Sequence, residues 1–218
     1  ELGLYGFRNR NRNRDYGLRV ASSADVRVKR LWDRLGENGR SVAALFVPLT
    51  SPPSPVRGTM VGGFLGAGER WAFPPAKQRA LEARFGPYRR DVRDFRTDEL
   101  ERVLTELDEM REQHFAIARA VIEEDAPDFL MMVEMGPDRL HHAMWRHMDP
   151  EHVDYRPGNP WEGRAKGYYQ ELDREVGRLV ASAGDDATVL VVSDHGARAM
   201  HGGVALNEHL RREGWLAL

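Results

Sequence analysis

Hydrophobic positions fall into two regimes along the chain. Three short runs are continuously apolar, Ser41–Val47, the Phe129–Val133 centre of Asp128–Met135, and Thr188–Val192. Such runs, bounded by Pro, Gly or charged residues, predict strands buried on both faces. Between them the apolar residues recur at helical spacing. Ser23 or Asp25 is placed to cap a helix through Val26, Val28, Leu31, Trp32 and Leu35, closing at Gly36 or Gly39. Thr97 precedes a long helical stripe of Leu100, Val103, Leu104, Leu107, Met110, Phe115, Ile117, Val121 and Ile122. Further helices are expected from Trp161 to Ala183 and from Leu206 to Arg212. Helices alternating with continuous apolar strands predict an α/β fold: a mostly parallel sheet with helices on both faces.

Between residues 48 and 96 the pattern breaks. Pro52, Pro53, Pro55, Gly58, Gly62, Gly63, Gly66 and Gly68 crowd into this stretch, which reads as a long loop or lid. No linker or repeat divides the chain, so residues 1–218 are expected to form a single α/β unit.

Composition narrows the chemistry. The chain has 218 residues, 41% of them hydrophobic, with 32 Lys+Arg against 34 Asp+Glu. It has no cysteine, which excludes disulfides, thiolate metal sites and a cysteine nucleophile. No apolar run approaches the ~20 residues of a membrane span. No secretory signal pattern opens the sequence, and a cytoplasmic location is expected. Charge is uneven: Arg8, Arg10, Arg12, Arg14 and Arg19 face only Glu1 and Asp15 in the first nineteen residues. Clustered guanidiniums suit phosphate, so Arg8 and Arg10 are candidate phosphate contacts. The arm has no interleaved aromatic residues, and lysine occurs only at 29, 77 and 166, so nucleic acid is not the expected partner.

In parallel sheets ligands bind beyond the carboxyl ends of the strands. Two predicted strands lead there into metal-ligand residue types. After Met135 comes Gly136-Pro137-Asp138-Arg139-Leu140-His141-His142, and after Val192 comes Ser193-Asp194-His195-Gly196. If a helix starts near Pro137, Asp138 and His142 share one face a turn apart. A strand-to-loop bend can turn Asp194 and His195 toward one centre. Each pair alone also has a plain explanation, a surface ion pair or a turn. Their joint placement at strand ends favours two half-sites for divalent ions, zinc or manganese, built from nitrogen and oxygen alone. His201 is a candidate third ligand, and His141 a packing or supporting neighbour. Thr50 and Ser51 have no activating base nearby in sequence, and turn chemistry accounts for them.

The chain resembles the type I phosphodiesterase and nucleotide pyrophosphatase branch of the alkaline phosphatase superfamily, and within it the microbial phosphohydrolase/phosphomutase group. Carrying the resemblance are Gly6–Arg10, Val47–Gly58, Met60–Leu65, Asp138–His142 with Met144-Trp145, Ser193–Gly196, Leu206–Leu210 and Gly214–Leu216. It implies an alkaline-phosphatase-like fold and hydrolysis of phosphate mono- or diesters at two divalent ions, usually zinc or manganese. Asp138 and His142 match ligands of one ion, and Asp194 and His195 ligands of the other. It also implies that a first-strand aspartate and the Thr or Ser nucleophile lie upstream of Glu1, and a further histidine ligand beyond Leu218. On that basis the chain is expected to be a fragment, inactive alone. Nucleotide pyrophosphatase, phosphomutase and sulfatase-like activities are the alternatives within the superfamily. Outside it stand an Arg-rich anion- or nucleic-acid-binding module and a catalytically silent fragment.

Overall fold

The computed structural model of the protein describes residues 4, 6–10, 17–66 and 68–217. At its centre is β3 (Val42–Val47), every residue of which is buried. It lies parallel to β4 (Gly58–Gly62) on one side and to β6 (Phe129–Met132) on the other. A short antiparallel β5 (Ala72–Phe73) closes the sheet in the order β5-β4-β3-β6. An unbroken Val-Ala-Ala-Leu-Phe-Val run suits this place because neither face of the central strand meets water.

The two faces of β3 pack against different helices. Val42, Ala44 and Val47 join Trp32 from α1 (Leu31–Glu37), together with Met60. Ala43, Leu45 and Phe46 face the other way, toward Leu81 of α2 (Pro75–Phe85) and Ile117, Ala118 and Val121 of α3 (Leu100–Asp125). Leu45 and Phe46 point to the same side because the register slips between Leu45 and Val47. Phe46 takes a left-handed φ of 60° at this bulge, which stacks its ring on His114 of α3 with centroids 3.9 Å apart.

The 26-residue α3 explains its own stripe. Its second half covers the sheet, while Leu100, Val103, Leu104, Leu107 and Met110 form a separate core. That core is completed by Leu140 and Met144 of α4 (Gly136–Met148) and Ala165 and Tyr168 of α5 (Pro160–Ala183). Among the described residues no helix is long and apolar enough to cross a membrane.

Three regions differ from the sequence expectation. The 48–96 stretch contains β4, β5 and α2, because glycine lets backbones approach where a side chain cannot fit. A Cβ on Gly63 would lie 2.3 Å from the Val47 carbonyl oxygen, and one on Gly58 2.1 Å from that of Val42. The first predicted helix is split into a 3-10 turn (Ser23–Asp25) and α1. Asp25 accepts two bonds from Arg19 and one from the Ser22 amide, which holds the turn apart from α1. The third correction is the strand expected at Thr188–Val192, which is absent. The segment pairs with nothing in the sheet, and Leu190 and Val192 are 82% and 86% exposed. A strand requires a neighbour to satisfy its backbone, and among the described residues none stands beside this segment. The last helix, α6 (Leu206–Arg212), forms as expected.

Candidate metal centre

The turn from β6 into α4 carries the first candidate ligand pair. Pro137 occupies the first turn of α4, where its missing N–H costs nothing, and Asp138 follows where a carboxylate suits the positive helix end. One helical turn later His142 stands above it, with Nε2 3.6 Å from Asp138 Oδ1. Two ligand atoms bound to one tetrahedral zinc at about 2.0–2.1 Å each stand roughly 3.3 Å apart, so this pair fits a shared ion. The His142 ring leans on Phe95 at 5.6 Å.

The other Asp138 oxygen, Oδ2, accepts a 2.7 Å bond from Arg139 Nη1. Arg139 is buried and turns its remaining edge to Asp91, whose two oxygens it holds at 2.6 and 2.7 Å. Its guanidinium also lies between the rings of Phe64 and Phe95, 4.9 and 4.5 Å away. Burial works to lower the Arg139 pKa, but the bonds to Asp91 and Asp138 outweigh it and the group is held charged. Asp91, Phe64 and Phe95 all come from the 48–96 stretch, which thereby supports the ligand turn.

Asp194 and His195 form the second pair, with His195 Nε2 3.7 Å from Asp194 Oδ1. His195 Nδ1 donates to the Gly196 carbonyl at 2.9 Å, the tautomer that leaves Nε2 with a lone pair to offer. The His195 pKa is raised, first by that carbonyl, then by Asp194, with a smaller contribution from Asp138. That contribution, and the corresponding effect of His195 on His141, place the second pair within electrostatic reach of the first. Among the described residues no three His, Asp or Glu side chains converge into one metal-holding group. The pairs are formed but not joined, and both members of the second are exposed.

His141 bonds the Tyr169 hydroxyl and meets Trp145 edge-on, so it ties α4 to α5. Burial lowers its pKa. His201 is exposed and joins neither pair. Thr50 is buried, accepting from the Gly63 amide and donating to the Val47 carbonyl, as its turn role requires. Arg8 and Arg10 are exposed on β1 (Arg8–Arg10), which pairs with β2 (Leu18–Val20). The base of this hairpin reaches the site region: Phe7 packs edge-on against Phe64 at 5.3 Å. Arg12 and Arg14 lie outside the described residues.

A family model described as type I phosphodiesterase / nucleotide pyrophosphatase matches residues 1–218. The chain belongs to this family. No curated protein and no solved structure matches the chain. Membership in the type I phosphodiesterase / nucleotide pyrophosphatase family, within the alkaline phosphatase superfamily, agrees with the mixed sheet, its three parallel strands and the flanking helices. It supports phosphoester hydrolysis as the reaction class and a small phosphoester as the substrate.

The sequence reading missed several residues around the site. Arg139 was passed over although it sits beside Asp138, because only the fold brings Asp91 to it. Glu134, just after β6, and His114, on α3, meet behind the same turn, with Oε2 3.6 Å from Nδ1.

Proposed function

We propose that this protein hydrolyses phosphate mono- or diesters at a centre where Asp138 with His142, and Asp194 with His195, each hold a divalent ion, zinc or manganese. The observation that carries this reading is the spacing of the two pairs. Each presents a carboxylate oxygen and an imidazole nitrogen at a separation suited to one ion. Such ions would supply charge neutralisation at the phosphoryl oxygens and at the attacking and leaving oxygens.

The chain's own residues do the rest. Arg139 fixes the Asp138 carboxylate by one oxygen and leaves the other facing His142. The Gly196 carbonyl fixes the His195 tautomer. Arg8 and Arg10 are the proposed contacts for the substrate phosphate or its leaving group, a reading supported by the packing of neighbouring Phe7 on Phe64. Thr50 is not assigned as the nucleophile, since its hydroxyl is committed to the Val47 and Gly63 backbone.

The test is a panel of chromogenic phosphate monoesters, phosphate diesters, dinucleotides and sulfate esters offered to the intact protein. Phosphoester turnover that disappears in Asp138→Ala and Asp194→Ala supports the reading. Turnover of sulfate esters alone, or phosphoester turnover undiminished in both variants, contradicts it.

A further inference from the structure

Behind the ligand turn, three buried polar atoms from three parts of the chain have no hydrogen-bond partner among the described residues: His114 Nδ1 on α3, Glu134 Oε2 after β6, and Tyr168 Oη on α5. His114 is 1% exposed, with its ring flat on Phe46. Its Nε2 lies 2.8 Å from the Arg89 carbonyl oxygen. A carbonyl can only accept, so Nε2 carries a hydrogen. In a neutral ring Nδ1 is then a bare lone pair, and it faces Glu134 Oε2 at 3.6 Å. An ionised carboxylate is also acceptor-only. Two buried acceptors facing each other are both desolvated and mutually repulsive. One proton on either atom turns that repulsion into an attraction.

We propose that His114 and Glu134 hold a single proton between Nδ1 and Oε2, and that this buried pair is a positioning device for the turn that presents Asp138 and His142. Glu134 Oε1 accepts the Gly136 amide at 2.8 Å, so the carboxyl locked by His114 also holds the first residue of α4. The space around Gly136 is equally constrained. A Cβ there would lie 1.8 Å from Tyr168 Oη and 2.7 Å from Glu134 Oε1. The groups facing the pair are Tyr88, 5.9 Å from the His114 ring with Arg90 and Asp91 behind it, and Tyr168, with Arg111 5.1 Å over its ring. The proton comes from solvent on folding, and no other bond forms or breaks. The positioning role rests on the metal-ligand reading above; the shared proton does not.

Ring-nitrogen NMR of the intact chain tests the proton. At about pH 7 the His114 Nδ1 signal is expected to depart from that of a free acceptor, toward a nitrogen that shares a proton with Glu134. Glu134→Ala should return Nδ1 to the shift of a free acceptor. Glu134→Gln should keep the fold, its carboxamide oxygen accepting from Gly136 and its NH₂ donating to Nδ1. A neutral wild-type ring with an unbonded Nδ1 overturns the shared proton. Zinc titration tests positioning: affinity should fall about tenfold in Glu134→Ala and stay within about twofold in Glu134→Gln. Equal zinc affinity in Glu134→Ala overturns the positioning role. Failure of the wild type to bind zinc would remove the metal reading and that role with it, while the ring spectra still decide the proton.

Discussion

Arg139 binds Asp91 through two oxygens and Asp138 through one, so a single buried guanidinium joins the 48–96 stretch to the ligand turn. Removing it leaves two partly buried carboxylates facing each other without a cation. Arg139→Ala should therefore cost about 2–4 kcal/mol in urea unfolding. Arg139→Lys should recover only part of this, since an ammonium cannot make the two-pronged contact with Asp91. Full recovery by lysine would show that charge alone matters.

Gly136→Ala should destabilise by about 1–3 kcal/mol, because the added methyl meets the Tyr168 hydroxyl and the Glu134 carboxyl at the entry to α4. The double variant with Tyr168→Phe removes one of the two obstacles and should regain part of the loss. An additive loss in the double-mutant cycle contradicts this geometry.

Acid should weaken the α4–α5 contact. Burial lowers the folded-state pKa of His141, so the unfolded chain binds the proton more readily. The sign follows: this contribution is complete above the ordinary histidine pKa of about 6.5 and is lost as pH falls below it. His147 is shifted in the same direction, first by burial and then by Arg146. Thermal midpoints measured from about pH 8 to 5 should fall. His141→Gln should flatten part of that fall, and an unchanged slope in the variant would exclude His141 as its source.

Leu107 and Leu190 separate two kinds of apolar residue. Leu107 is fully buried among α3, α4 and α5, and Leu107→Ala should cost about 2–5 kcal/mol. Leu190 is 82% exposed, and Leu190→Ala should stay within about 0.5 kcal/mol. A core-sized loss at Leu190 would mean that Thr188–Val192 packs as the strand its pattern suggests.

These contrasts mark what the sequence made legible. β3 and α3 were readable because their patterns are local: Val42–Val47 is apolar throughout, and the α3 stripe repeats at helical spacing. The Asp138–His142 pair was readable for the same reason, as a helix fixes the i, i+4 geometry. Thr188–Val192 misled because apolar continuity reports a preference for burial, whereas a strand also needs an adjacent edge. The 48–96 stretch misled because its glycines serve close backbone contacts inside the sheet as well as turns. The Asp91–Arg139 and His114–Glu134 pairs join residues 48 and 20 positions apart, beyond what local spacing encodes.

The most direct test of the account is zinc and manganese stoichiometry on the intact protein, comparing wild type with Asp138→Ala/His142→Ala and with Asp194→Ala/His195→Ala. Each pair is assigned an ion of its own, so each double variant should lose part of the bound metal. Phosphoester turnover should vanish in both. Metal uptake identical in all three proteins would contradict the assignment of these four residues as the metal centre.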